Sequence, residues 1–84
     1  MAGPPLAAVA RHECGHAAMA LLLGRKVERL AISDDGSGLC AVSAPSYART
    51  REGHRRACRE NLLISLAADL VERADEPIPR WWRL

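Results

Sequence analysis

Leu6-Ala7-Ala8-Val9-Ala10-Arg11-His12-Glu13-Cys14-Gly15-His16-Ala17-Ala18-Met19-Ala20-Leu21-Leu22-Leu23-Gly24 decides how this chain is read. Most of these residues are strong helix formers. Pro4 and Pro5 can open a helix because its first turn needs no N–H from them, and Gly24 offers a C-terminal stop. The run predicts a helix over about 5–23. At its centre stands His12-Glu13-Cys14-Gly15-His16. Positions i and i+4 share one face of a helix, so His12 and His16 stack one turn apart. That is the spacing with which two imidazoles grip one zinc ion from the same side. Glu13 lies beside them, where a carboxylate can take a proton from water at the metal. Cys14 turns away from the histidine face and reads as a small packing residue. Gly15 suits a place where another backbone comes close.

Downstream, 25–33 carries Leu30 and Ile32 two apart, an alternation that predicts a half-buried strand. Asp34-Asp35-Gly36-Ser37-Gly38 is a hairpin turn by composition, and 39–43 predicts the returning strand. Its edge offers a place for an extended peptide to add as a further strand. Pro45 and Ser46 break the pattern. A long second helix follows over about 50–74, ended by Pro77 and Pro79. Leu62, Leu63, Leu66, Leu70 and Val71 recur there at helical spacing and predict its buried face. The order is helix, β-hairpin, long second helix: an α+β fold, with residues 1–84 as a single domain and no repeat or linker.

Composition narrows the function classes. The hydrophobic fraction of 49% permits a core, but aromatics are 4% and Phe is absent, so Leu, Val, Ile and Ala must build it. A chain of 84 residues is marginal alone, and a metal or a partner chain, a second copy included, would add stability. A net charge of +2 does not argue for nucleic acid. Arg49, Arg51, Arg55, Arg56 and Arg59 read as a solvated helix face in the absence of a nucleic-acid motif. Three cysteines, Cys14, Cys40 and Cys58, make an odd count that argues against a disulfide framework. The longest apolar stretch, 17–23, is too short to span a bilayer. With no basic leader, the expected location is cytoplasmic.

A catalytic zinc site takes three protein ligands and keeps one position open. Candidates for the third are acids of the second helix and its end: Asp69, Glu72, Asp75 and Glu76, of which Asp69, Glu72 and Glu76 fall on neighbouring turns. A rival reading gives a closed structural zinc site. His54 and Cys58 are also i and i+4, and with His12 and His16 they make four ligands, leaving a non-catalytic protein-binding module. In that reading Trp81 and Trp82 would serve as partner anchors.

The stretch from His12 to Ala18, then Leu21 to Gly24 and Val27 to Ile32, resembles the peptidase domain of FtsH-type zinc proteases, which carry an HEAGHA motif, an apolar helix and a short strand. Leu66-Ala67-Ala68-Asp69-Leu70-Val71-Glu72 is similar to that family's second helix. The resemblance covers about residues 9–73. It implies a zincin-like domain with Zn2+ on His12 and His16, Glu13 as catalytic base, and hydrolysis of peptides or unfolded protein segments. Two departures stand out. Cys14 replaces the family's alanine, and no Walker A loop is present, so no unfolding motor is implied. The family takes its third ligand, an aspartate, from further downstream than this chain extends, which leaves four readings: Glu72 or a neighbour substitutes, a partner supplies the ligand, the chain is truncated at its C-terminus, or the domain is a degenerate peptidase. Glu72 matches the family's glutamate by position and is the candidate carried forward.

Overall fold

A computed structural model of the chain describes residues 5–73. Helix α1 spans Leu6–Leu22. The Pro5 carbonyl accepts the N–H groups of Ala8 and Val9 at 2.9 and 3.2 Å. At the other end Gly24 takes φ +75°, its N–H donates to Leu21 and that of Arg25 to Ala20, which is how a Schellman motif satisfies the last carbonyls. Strands β1 (Val27–Ile32) and β2 (Gly38–Val42) pair antiparallel, with Ile32 opposite Gly38 and Leu30 opposite Cys40. The register slips between Val27 and Arg29, so Glu28 bulges out, and its carboxylate accepts the Ser43 hydroxyl at 2.7 Å. In the hairpin turn the Asp35 carboxylate accepts both the hydroxyl and the N–H of Ser37, which lower its pKa from the ordinary aspartate value. A short 3-10 turn, Ser46–Arg49, leads into helix α2, Arg51–Glu72, capped by Thr50, whose hydroxyl accepts the Gly53 N–H at 3.0 Å. The helix, hairpin and long second helix are those of the α+β reading; the 3-10 turn falls where Pro45 and Ser46 marked only a break.

The core differs from the one the leucine pattern predicts. Leu62, Leu63, Leu66 and Leu70 are exposed, at 47 to 65% of their surface, and Leu30 and Ile32 are also exposed. The buried residues of α2 are Gly53, Ala57, Glu60, Ile64, Ala67 and Ala68, and those of α1 include Ala17 and Ala20. The reason is distance. A Cβ placed on Gly15 would sit 2.9 Å from the Ala68 Cα and 3.2 Å from the Ala67 carbonyl oxygen. At that separation only Gly and Ala fit between two helix backbones, so small residues select the packed face and the leucine stripe turns outward. The pairings of His12 with Glu72, Gly15 with Ala68 and His16 with Ile64 show the helices running antiparallel.

A buried polar cluster pins α2 to the rest. Arg25, 6% exposed, donates to the Glu60 carboxylate at 3.3 Å and to the Ser43 carbonyl at 3.0 and 3.2 Å. The Tyr47 hydroxyl donates to the same carboxylate, and Arg56 pairs with Glu60 at 3.4 Å while stacking over the Tyr47 ring. Four segments meet here: the end of α1, the end of β2, the 3-10 turn and the middle of α2. The Tyr47 hydrogen bond, then Arg56 and Arg25, hold the Glu60 carboxyl below its ordinary 4.5 despite its burial. A depressed carboxyl contributes stability that is complete above its unfolded pKa and is lost as pH falls through the folded one. The melting temperature of the wild type should therefore exceed that of Glu60→Gln above pH 4.5 and converge on it below. A gap of undiminished size at about pH 2 would refute the role given to this carboxylate. Among the described residues, no helix is long and apolar enough to cross a membrane.

Candidate metal centre

His12, Glu13 and His16 come together on α1, and one ligand atom from each lies within 4.8 Å of the others. The Nε2 atoms of the two histidines are 3.1 Å apart, with the rings edge to face at 88°. Helix α2 fixes what those atoms are. The Nδ1 of His16 lies 2.7 Å from the Ile64 carbonyl oxygen, and the Nδ1 of His12 lies 2.6 Å from the Glu72 carboxylate. A carbonyl and a carboxylate only accept, so each Nδ1 carries the proton. In the neutral rings each Nε2 then presents a lone pair, and the two lone pairs face one another. Such a pair is stable only around a shared positive charge, either a proton or a metal ion. The separation suits a metal: two nitrogens bound tetrahedrally at 2.0–2.1 Å lie roughly 3.3 Å apart.

Glu13 supplies the second indication. Its side chain is buried, yet Oε2 has no hydrogen-bond partner, while Oε1 lies 3.9 Å from the His12 Nε2. A buried carboxylate oxygen without a partner is costly unless a proton, water or cation meets it. The hairpin covers this side chain at Gly38, where a Cβ would fall 2.7 Å from the Glu13 Cγ and 2.9 Å from a Val9 methyl. Gly38 therefore does more than turn the chain: its missing side chain is the room Glu13 occupies. A cleft of about 320 Å³ opens beside it, walled by Val9, His12, Glu13, Gly36 and Gly38, with Glu72 at its side. The donor set and the orphaned oxygen fit a divalent cation.

The other sequence candidates fall elsewhere. Glu72 does not join the His12–Glu13–His16 grouping; it lies with His12 and Asp69 in a second, more exposed one, on the Nδ1 side of the ring. Asp75, Glu76, Trp81 and Trp82 lie outside the described residues. The four-ligand structural site is not formed: His54 and Cys58 approach each other at 3.6 Å and belong to no grouping with His12 or His16. His54 precedes Ile64, the α2 residue that touches His16, by ten positions, about 15 Å of helix. Cys14 is exposed and is not the packing residue expected of it. Cys40 lies across a cleft from His16, and burial, then the Glu13 charge, then Cys14 raise its thiol above 9.0, which keeps it a neutral group at pH 7. The outer partners Ile64 and Glu72 are what sequence reasoning missed. A backbone acceptor leaves no sequence signal, and Glu72 stood out as a ligand, not as a neighbour of one.

A family model described as Peptidase M50B-like matches residues 5–51, more than half of the chain, including the whole of α1 and the hairpin. No curated protein and no solved structure matches the chain. The match bears out the metallopeptidase part of the sequence resemblance and does not extend to an FtsH-like kind. On that match and on the geometry of α1, the chain belongs to the Peptidase M50B-like family and is a metallopeptidase-family domain.

Proposed function

We propose that this domain hydrolyses peptide bonds with a zinc ion held by His12 and His16 and with Glu13 as general base. One observation carries the reading: two Nε2 lone pairs directed at each other across 3.1 Å beside a buried, unpartnered carboxylate oxygen. When bound, a zinc ion lowers the pKa of water at the site and polarises the scissile carbonyl. The protein's own groups do the rest. The α2 acceptors hold both imidazoles in the Nδ1–H form, so neither ring has to reorganise. Glu13, covered by the hairpin at Gly38, accepts a proton from water and passes it to the leaving amine. The cleft walled by α1 and the hairpin turn takes the peptide or unfolded segment. Asp75 and Glu76 are retained as candidates for a third ligand. The likeness to FtsH-type proteases supports the same assignment through the motif at His12–Ala18 and no further. Three free thiols suit a reducing compartment, and the cytoplasm is the setting proposed.

The test is metal dependence. Protein stripped with a chelator should lose peptidase activity on an unstructured fluorogenic peptide, and about one equivalent of zinc should restore it. A His12→Ala, His16→Ala double variant should bind no zinc. Wild-type protein that folds but takes up no metal would overturn the proposal.

A further inference from the structure

We infer that Glu72 is a positioning residue for the centre: its carboxylate holds His12 as the Nδ1–H tautomer, aims its Nε2 at His16, and thereby sets the affinity of the pair for a divalent cation. The inference rests on the metal-binding reading above and deepens it. The two histidines are secured differently. His16 is fixed by the Ile64 carbonyl, which no side-chain substitution removes, whereas His12 depends on one side chain, 2.6 Å away, at the last residue of α2. A carboxylate is poorly placed there on helix grounds alone. The C-terminal end of a helix favours cations, so Glu72 weakens α2 slightly unless a partner compensates. That partner is the His12 N–H. The distance and the acceptor-only chemistry of a carboxylate leave one role for that nitrogen, donor, and so one role for the other, lone pair. Outer acceptors of this kind orient a ligating imidazole and raise its basicity, and losing one lowers metal affinity about 10- to 100-fold. The Glu72 side chain is 43% exposed, so water replaces part of the contact and the loss should fall near the lower bound.

The competing role is direct ligation, in which Glu72 and Asp69 share an ion with His12. Three variants separate the two: Glu72→Ala, Glu72→Gln and Asp69→Asn. In metal-free protein, nitrogen-15 correlation spectra of the histidine rings should show wild-type His12 protonated at Nδ1. Glu72→Ala should release it to a mixture of tautomers, and Glu72→Gln, whose amide oxygen still accepts, should keep it. Zinc affinity, read by competition with a chromophoric chelator, should fall about tenfold in Glu72→Ala, fall less in Glu72→Gln and hold in Asp69→Asn. The visible spectrum of the cobalt(II) form should be the same in wild type and Glu72→Gln, because the ligand set is unchanged. An unaltered His12 tautomer in Glu72→Ala would overturn the inference. So would a cobalt spectrum changed by Glu72→Gln together with a zinc loss equal to that of Glu72→Ala, which is the mark of a direct ligand. The tautomer measurement needs no metal, so it decides the role of Glu72 even if the protein binds no zinc and the functional proposal fails.

Discussion

Glu13→Gln should lower kcat by about 10²- to 10⁴-fold, the contribution of a positioned general base, while zinc content and melting temperature stay close to wild type. Glutamine keeps the shape of the side chain under the hairpin, where a smaller residue would open a hole next to Gly38 and Val9. It removes only the ability to accept a proton. The stability cost is small because the oxygen it replaces has no partner to lose: Oε2 of Glu13 is buried and makes no hydrogen bond. The measurement is the initial rate on a fluorogenic peptide at saturating zinc, alongside metal analysis and a thermal melt. A variant retaining more than about a tenth of wild-type kcat would remove Glu13 from the mechanism, because no general base contributes so little. A variant that lost its metal as well would make Glu13 a ligand instead.

The sequence made the centre legible and hid its supports. The i, i+4 spacing of His12 and His16 needs only helix periodicity, and the run from Leu6 to Leu22 is helical for local reasons, so the site could be placed before any tertiary contact was known. Gly15 was legible as well, since a mid-helix glycine costs stability that a close backbone contact explains, and the Ala68 Cα is that contact. The buried face of α2 was not. Leucine periodicity marks an apolar stripe, but which arc packs depends on how near the opposing helix comes. Here Gly15, Ala67 and Ala68 set a separation that leucine cannot enter, leaving Leu62, Leu66 and Leu70 outside. The clasp of Arg25, Tyr47 and Glu60 was hidden for a related reason. Its members are 13 to 35 residues apart in sequence and none belongs to a local pattern. Glu72 was visible as an acid on the correct helix, but only coordinates assign it to the outer nitrogen of His12.

Gly15→Val should destabilise the domain by about 2–3 kcal/mol and, without touching a ligand, weaken zinc binding. The Cβ it adds meets backbone on α2: the Ala68 Cα at 2.9 Å, the Ala67 carbonyl oxygen at 3.2 Å and the Ala68 nitrogen at 3.3 Å. None of these atoms can rotate aside, so the helices must part. Overpacking of this kind costs about 1–3 kcal/mol, and two γ methyls on a stiff χ1 place valine at the upper end. Helix propensity gives little back, because valine improves on glycine by only a few tenths of a kcal/mol. Gly15→Ala is the informative contrast: its Cβ meets the same backbone atoms, so it should also destabilise, but by less than valine, because it adds no γ methyls and recovers about 1 kcal/mol of helix propensity. In a domain of this size each kcal/mol is about 4–8 °C, so Gly15→Val should melt about 8–24 °C lower, a shift a thermal scan resolves easily. The effect on the centre follows from position. Gly15 lies between the two contacts that hold the rings, His12 to Glu72 at 2.6 Å and His16 to Ile64 at 2.7 Å. Separating the helices lengthens both, frees both imidazoles to turn, and lowers zinc affinity by more than Glu72→Ala alone, which loosens one. Gly15→Val protein with wild-type melting temperature and wild-type zinc affinity would mean that the helix crossing at Ala68 is not what holds the two histidines in register.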